Sequence, residues 1–224
     1  MTRTRTISVT GTGTASVQPD LMRLTFVLAA KHAQYSDMMQ QADGQLAALR
    51  QAMQGCGIAP EALKTADYQI TTEYSHQPDE HGNYRQVFEG YQCRHVLVIE
   101  SAPDPARLAA LLNAADQSGT APELHIAFTV KDRYAAQAAA LKAAAQQARN
   151  SAEALAEASG VRLGRLLSVT NRCSPEMPLS PTNFTMMRAK TADMGAAAAI
   201  TPEDIRTEET ATFVWELLPV QGDS

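Results

Sequence analysis

Alternating apolar and polar residues recur along the chain and predict seven β-strands. Successive side chains of a strand point to opposite faces, so a half-buried strand shows a period of two. The predicted strands span residues 7–14, 21–30, 64–74, 87–100, 123–131, 165–170 and 210–217. We expect the first two to form an antiparallel hairpin with Pro19 and Asp20 in the connection, and Gly90 to mark a bulge or kink in the fourth.

Apolar residues spaced three and four apart predict a first helix between the second and third strands. Ser36 and Asp37 are its N-cap candidates, and Gly55 and Gly57 supply its C-terminal stop. Its apolar stripe consists of Met39, Ala42, Leu46, Leu49 and Met53. This spacing indicates a helix with one face on the core.

A second helix is predicted to begin at Asp104, because Asp is a favoured N-cap and Pro105 fits the first helical position. Gly119 ends it. The residues expected to face inward are Leu108, Leu111, Leu112 and Ala115. A short, well-capped helix of this kind fits between two strands of an α+β domain.

The longest helix signal covers residues 134–160, which contain no Pro, no internal Gly and many Ala. One stripe is predicted to face the protein and consists of Tyr134, Ala138, Leu141, Ala145, Ala148, Ala152, Leu155 and Ser159. The opposite face is assigned to Gln137, Lys142, Gln146, Asn150, Glu153 and Glu157. Since most of the stripe is Ala, we expect this scaffold helix to lie close to an antiparallel sheet.

The element order is β-β-α-β-β-α-β-α-β-β, without regular βαβ alternation. Such an order favours an α+β fold with largely antiparallel sheets and three main helices. We expect a single domain over residues 1–224, with its core at 7–217. Residues 173–202 contain Pro, Ser, Thr and Met with weak periodicity, and they are predicted to form a long loop or an oligomer-contacting arm.

Composition narrows the class of protein. The net charge of -5 and the lack of a basic run argue against nucleic-acid binding. The three cysteines, Cys56, Cys93 and Cys173, are too few and too widely spaced for a disulfide framework. No apolar run approaches the about 20 residues of a membrane helix. The N-terminus shows no secretory signal, so we expect a cytoplasmic protein, or a periplasmic or cell-envelope protein if a leader was removed.

Two loops carry residues that could bind ligands. Gly11 and Gly13 resemble a phosphate-binding loop, but a strand rather than a helix follows them, so we interpret them as easing a bulge or hairpin. The second loop holds His76, Asp79, Glu80 and His81, which are legitimate metal ligands. A hairpin tip is a poor preformed cage, and charged residues are common at such tips.

Cys93 and His95 are two apart on a strand and share a face. A Cys–His pair can form a thiolate nucleophile, but Cβ atoms at this spacing are about 7 Å apart, which favours a buried Cys beside a partly exposed His. The late methionines either contact a partner or pack into the domain's own core: Met177, Met186, Met187 and Met194. We find no metalloprotease, serine-nucleophile or P-loop motif, and we predict no catalytic, cofactor or metal residues.

Several short motifs together resemble the SIMPL domain family. The start, ISVTGTG at residues 7–13 followed by Pro19 and Asp20, is similar to the start of that family. Further matches along the chain are Gly57-Ile58, Lys64-Thr65, Tyr68-Gln69-Ile70, Gly90-Tyr91, Ala148-Arg149, Ala152, Leu155-Ala156, Gly160 and Leu163-Gly164. They extend over about residues 7–217, and their order and spacing carry the resemblance.

The resemblance implies an α+β fold and, for bacterial members such as periplasmic immunogenic proteins, ring- or channel-like homo-oligomers. It also implies a link to oxidative-stress tolerance, and a mammalian member takes part in kinase signalling. No catalytic residues carry over. The chain departs from the family in lacking an export signal and in having Pro202-Glu203 where a Pro-Gly is common.

We therefore expect a non-enzymatic homo-oligomeric scaffold or interaction protein, linked to stress response. The alternative is a small-molecule or metal-binding protein that uses the hairpin between His76 and His81 or a cleft beside Cys93 and His95. An enzyme ranks third. Metal analysis and a thermal-shift screen separate the binding protein from the scaffold, since a ligand that binds only the folded form raises its melting temperature.

Overall fold

The computed structural model describes residues 5–78, 84–171, 179–186 and 201–219. Over these residues it contains three α-helices, a short 3-10 turn and eight strands in two sheets. The strands are β1 (Thr6–Val17), β2 (Leu21–His32), β3 (Lys64–Pro78), β4 (Tyr84–Ser101), β5 (Glu123–Thr129), β6 (Val161–Asn171), β7 (Leu179–Met186) and β8 (Ile205–Pro219). The helices are α1 (Tyr35–Gly55), α2 (Pro105–Gln117) and α3 (Arg133–Ala158). The predicted α+β fold with largely antiparallel sheets is confirmed.

The chain divides into two compact units. Unit 1 consists of Met1–Pro19, Thr129–Pro181 and Glu203–Ser224, and unit 2 of Asp20–Phe128 and Thr182–Pro202. One sheet has the strand order β1-β8-β6, and the other has the order β3-β4-β2-β5-β7. The single domain expected over residues 1–224 stays a prediction.

The predicted hairpin of the first two strands is wrong, because β1 and β2 lie in different sheets. β1 pairs with β8 along its whole length, with Val9 opposite Phe213, while β2 pairs with β4, with Phe26 opposite Leu97. The connection through Pro19 is short enough for a hairpin, but alternation does not specify which strand is the partner. The small residues of β1 suit a helix at close range, whereas the large apolar residues of β2 fill the core of unit 2.

In unit 1, α3 lies on the sheet at very short range because β1 carries two glycines there. A Cβ placed on Gly11 would overlap the carbonyl oxygen of Ala144 and would lie 2.7 Å from Ala148 Cβ. A Cβ placed on Gly13 would overlap the carbonyl oxygen of Ala140. The register of β1 against β8 is unbroken at both positions. The sequence suggested that these glycines ease a bulge or a hairpin. This interpretation is wrong, because the glycines make room for α3.

The face that α3 buries differs from the predicted stripe. Ala148 and Ala152 are buried as expected, but Tyr134 is 67% exposed and Leu155 is 53% exposed. Gln137, predicted on the outer face, is buried. The buried residues are Ala136, Gln137, Ala140, Ala144, Ala148, Ala152 and Ala156. Close contact with β1 selects the smallest side chains for the buried face, so the larger Tyr134 and Leu155 point outward.

The core of unit 2 lies between its sheet and the helices α1 and α2. The prediction for α2 is confirmed, since Asp104 Oδ1 accepts hydrogen bonds from the backbone N–H groups of Ala106 at 2.9 Å and Arg107 at 3.3 Å. The inward residues are also confirmed, and all of Leu108, Leu111, Leu112 and Ala115 are buried. The core extends to alternate residues of β2 and β5, including Phe26, Ile126 and Phe128.

Two details of α1 were predicted wrongly. The helix has Gln34 as its N-cap residue rather than Ser36 or Asp37. Asp37 instead lies 3.3 Å from His32 Nδ1, at the end of β2, so its carboxylate faces that strand. Met38, rather than Met39, is fully buried on the helix's inner face. Met38 lies four residues before Ala42 and so shares its buried face, whereas Met39 is only partly buried.

The region predicted as a long loop contains a strand. β7 covers Leu179–Met186 and lies next to β5 in the five-stranded sheet. Ser180 is buried, and its hydroxyl donates to the carbonyl oxygen of Glu203 at 2.7 Å. Of the late methionines, Met186 ends β7, while Met177, Met187 and Met194 lie outside the described residues, as does Cys173. Within the described ranges, no helix is apolar and long enough to cross a membrane.

Candidate functional site

The β3–β4 hairpin contains a β-bulge, and one face of the hairpin continues across it. β3 and β4 are antiparallel, and their register shifts where Glu73 pairs with Gly90 and Tyr74 pairs with Phe88, so Glu89 is the extra residue. Gly90 has a φ of 141°, which favours glycine, and a Cβ there would lie 2.5 Å from the carbonyl oxygen of His32. The bulge or kink predicted at Gly90 is confirmed.

Because of this bulge, aromatic residues of β3 and β4 meet on the same side of the sheet. Phe88 lies against Tyr74 with ring centroids 5.7 Å apart and against Tyr91 at 5.3 Å. Tyr91 in turn contacts Tyr35, the first residue of α1, at 5.5 Å. All three contacts are edge-on, the geometry that aromatic pairs favour. We call these residues, together with Tyr68 and Ile70 on β3, the aromatic face.

The aromatic face remains largely uncovered. Tyr74 is 52% exposed, and Tyr35, Tyr68 and Phe88 are each exposed by more than two fifths. Exposed large apolar residues that touch one another form a patch, which is rarer on a monomer than single exposed residues. The aromatic face is therefore the strongest candidate for a contact surface among the described residues of unit 2.

The other side of the same hairpin is charged and internally paired. Lys31 Nζ lies 2.7 Å from Glu73 Oε2, and Arg94 Nη1 lies 3.4 Å from Asp67 Oδ2. The first pair connects β2 with β3 across the intervening β4, and the second connects the adjacent strands β4 and β3. The hairpin thus has one solvated polar face and one exposed apolar face.

β3 is also an edge strand. The order β3-β4-β2-β5-β7 places it at the end of its sheet, with β4 as its partner among the described strands. An edge strand presents backbone N–H and C=O groups that can pair with another chain. Lys64 and Pro78, residue types that discourage such pairing, stand at the two ends of β3. Its middle combines an open edge with exposed aromatic side chains.

Cys93 and His95 occupy the same face of β4 but lie deeper. Cys93 is 1% exposed and belongs to a small core cluster with Ala30, Met38 and Ala42. His95 is 7% exposed, not partly exposed as expected, and its Nε2 lies 2.9 Å from Thr65 Oγ1. The structure therefore places both side chains in the packed interior, which does not suit a nucleophile that meets a substrate.

Tyr68 covers His95 and joins it to α1. Its ring meets the imidazole edge-on at 4.9 Å, and its hydroxyl donates to Met39 Sδ at 3.7 Å. A hydrogen bond with the Cys93 thiol, and then burial, raise the pKa of Tyr68 to about 12. Burial, and then the positive charge of Arg50, lower the pKa of His95 below 6.5. Both shifts favour the neutral forms, so Tyr68 of the aromatic face covers a neutral, packed His95.

The second predicted ligand site is described only in part. His76 lies near the end of β3, with its Nε2 3.5 Å from Gln86 Nε2 on β4. Asp79, Glu80 and His81 lie outside the described residues. Across the part of the chain that the structure describes, no group of three or more His, Cys, Asp or Glu side chains is placed to hold a metal ion.

A groove between α1 and α2 is lined by small residues and uncharged polar side chains. Its volume is about 430 Å³, and it includes Ala52, Gly55 and Cys56 from the end of α1 and Ala114 from α2. Cys56 donates weakly to the carbonyl oxygen of Ala110 at 3.5 Å. The lining residues include no charged side chain, so nothing in the groove points to a particular ligand.

Unit 1 carries a smaller apolar patch on β6. Leu166 and Val169 are each about half exposed, and Leu167 is exposed as well. β6 ends the order β1-β8-β6, so it too is an edge strand of its sheet among the described residues. This patch has no aromatic residue, which makes it a weaker candidate than the aromatic face.

A family model matches residues 7–215, nearly the whole described chain, and its description is SIMPL, a protein of unknown function. The chain belongs to the SIMPL family. The resemblance drawn from the motifs is thereby confirmed. No curated protein matches the chain. Membership of the SIMPL family assigns no site, so the candidate site depends on geometry alone.

The period of two in the predicted strand 64–74 puts Tyr68, Ile70 and Tyr74 on one face, but it does not show that this face is exposed. Whether a strand face is covered depends on how far α1 extends over it, which the sequence does not show. One signal was available, because Tyr is common at contact surfaces where one end of the side chain meets water. A run of tyrosines in place of Leu and Val was therefore a hint of a contact surface.

Proposed function

We propose that this SIMPL-family protein is a non-enzymatic homo-oligomeric scaffold or interaction protein. The observation that carries the proposal is the aromatic face, which joins Tyr74, Phe88 and Tyr91 of an edge hairpin to Tyr35 of α1. Covering such a surface in a subunit contact removes apolar area from water, which favours association. The role in stress response and the bacterial origin that the family resemblance implies are part of the same proposal.

The proposal assigns no catalytic residue, cofactor or metal. It also leaves two compartments open, the cytoplasm and the periplasm or cell envelope, as the sequence did. A scaffold of this kind acts by bringing copies or partners together, so its function depends on the contact surface rather than on a reactive group.

Light scattering after size-exclusion chromatography tests the proposal. The wild-type chain should have a mass above the 24.1 kDa of the monomer, and the double variant Tyr74→Ser/Phe88→Ser should shift toward the monomer. Tyr134→Ser is the matched control, because Tyr134 is an exposed tyrosine on α3 of unit 1 and is not one of the residues of the aromatic face. A wild-type chain that stays monomeric at high concentration refutes the proposal.

A second candidate is small-molecule or metal binding at the hairpin between His76 and His81 or beside Cys93 and His95. It has less support, because Cys93 and His95 are both buried. A thermal-shift screen with Zn²⁺, Ni²⁺ and Cu²⁺ tests it, since a metal that binds only the folded chain raises its melting temperature. An unchanged melting temperature with all three ions refutes the metal form of this candidate.

A further inference from the structure

The middle of β3 has a nearly symmetric sequence around Thr71. Residues 67–75 read Asp-Tyr-Gln-Ile-Thr-Thr-Glu-Tyr-Ser. Reading outward from Thr71, Ile70 corresponds to Thr72, Gln69 to Glu73, and Tyr68 to Tyr74. A strand with this symmetry can pair with an identical strand running in the opposite direction, and a two-fold axis relates the same surface patch on both copies.

We propose that β3 pairs antiparallel with β3 of a second copy of this chain, with Thr71 on the two-fold axis. The inference rests on the proposed homo-oligomer and names its contact. The five-stranded sheets of two copies would join at their β3 edges. Tyr68 of each copy would lie opposite Tyr74 of the other, so exposed aromatic residues on the edge strand would cover one another.

The backbone of β3 is suited to this pairing. β3 is the edge of its sheet, and residues 68–73 pair with β4 in regular succession, between register shifts at Thr65/Asp67 and Glu73/Tyr74. Charged or bulged positions protect an edge from pairing, and here Lys64 and the bulge at Thr65/Asp67 lie at one end of the strand, while the extra residue of the second bulge, Glu89, belongs to β4. The stretch centred on Thr71 is therefore regular enough to extend the sheet.

The charges on β3 favour this register over a neighbouring one. Residues directly opposite each other in an antiparallel pair share a face. The two-fold axis must therefore lie where a residue faces its own copy, and the alternative registers centre on Ile70 or Thr72. An axis at Ile70 would place Asp67 opposite Glu73, and like charges in that position destabilise a sheet. An axis at Thr71 places each acidic residue opposite a neutral one.

The axis at Thr71 also places Gln69 opposite Glu73. The Gln69 amide can donate to a Glu73 carboxylate oxygen across the interface, while Lys31 holds the other side of that carboxylate at 2.7 Å. An axis at Thr72 would instead place Glu73 opposite Thr71 and Tyr68 opposite His76. It would separate the two tyrosines, so the Thr71 axis gives the better match.

Cysteine cross-linking tests the contact at the level of single residues. Opposite residues of an antiparallel pair have Cα atoms about 4.5–5.5 Å apart, within the range for a disulfide, whereas residues four positions out of register are about 14 Å apart. Thr71→Cys should therefore form a disulfide-linked dimer on mild oxidation. Gln69→Cys and Glu73→Cys should each fail alone but cross-link when the two variants are co-expressed with different tags.

Thr72→Cys is the matched control, because it lies one position away and should stay near the background. The wild-type chain, with its three native cysteines, sets that background under the same oxidation. Thr71 and Gln69 are exposed, so their replacement should not disturb the fold, and circular dichroism is to be used to check that each variant is folded. The Gln69/Glu73 pair provides an independent readout if Thr71→Cys does not fold.

The outcomes separate this inference from the proposed function. An oligomeric wild type in which neither Thr71→Cys nor the mixed pair cross-links overturns the β3 contact but leaves the homo-oligomer. Cross-linking at Thr72→Cys in place of Thr71→Cys overturns the register. A monomeric wild type overturns both. The proposal is supported if Thr71→Cys and the mixed pair form dimers while Gln69→Cys alone and Glu73→Cys alone stay at background.

Discussion

Replacing Gly11 with Ala tests the close packing of α3 on β1. The new Cβ would overlap the carbonyl oxygen of Ala144 and lie 2.7 Å from Ala148 Cβ and 2.9 Å from the Ala148 backbone nitrogen. Two of these neighbours are backbone atoms, so a change of side-chain rotamer cannot relieve the overlap. Either the strand or the helix has to move, and the buried cluster around Val9 and Ala152 would open.

The expected loss of stability is near the upper end for overpacking. Inserting a methyl group into a packed interior costs about 1–3 kcal/mol, and we expect about 3 kcal/mol here because backbone atoms are involved. For a chain of this length that corresponds to a fall in melting temperature of about 6–12 °C. Ala148→Leu should be destabilising for the same reason, because Ala148 is buried on the inner face of α3.

Gly44→Ala is the control, and it should raise the stability of the protein rather than lower it. Gly44 lies inside α1, and a Cβ there would meet nothing within 4 Å. Replacing an exposed helical glycine by alanine should stabilise by about 0.4–1 kcal/mol. Thermal unfolding followed by circular dichroism, with urea unfolding as a second measure, compares the two variants. If Gly11→Ala were as stable as the wild type, the contact between β1 and α3 described above would be wrong.

Two further predictions concern α2 and β4. Asp104→Ala should destabilise the protein by about 1 kcal/mol, because it removes the carboxylate that accepts from the N–H groups of Ala106 and Arg107; Asp104→Asn should retain most of that stability in urea unfolding. The pKa of His95 is lowered in the folded protein, so the folded state binds the proton less readily than the unfolded state. The stabilising effect of neutral His95 should be complete above pH 6.5 and be lost as the pH falls from there through its folded pKa, and His95→Gln should remove this part of the pH dependence. A pH dependence of unfolding that is identical in the two proteins would contradict that assignment.

Features fixed by neighbouring residues were predictable from the sequence. The Asp104-Pro105 start of α2 depends on contacts within one helical turn, and Gly90 and Gly160 mark positions whose positive φ favours glycine. The inner residues of α2 followed from periodicity because this helix has one buried face. These local signals were enough for the α+β fold.

Features that depend on distant parts of the chain were not predictable. The partner of β1 is β8, and nothing in the alternation of residues 7–14 distinguishes β8 from the adjacent β2. The buried face of α3 depends on Gly11 and Gly13, which accept only its alanines at that range. The aromatic face belongs to the same class, since the exposure of Tyr74 depends on where α1 begins and which strands it covers.

The position of β8 in its sheet has a consequence for the order in which the protein folds during synthesis. β8 is the central strand between β1 and β6, and Thr10 contacts Thr212, 202 positions away. The ribosome adds about 5–20 residues per second, so β1 waits on the order of 10–40 seconds for its partner. Residues 20–128 of unit 2 emerge well before then and can fold first. We expect a nascent chain stalled before residue 205 to protect β2 and β4 from protease while leaving β1 open to cleavage.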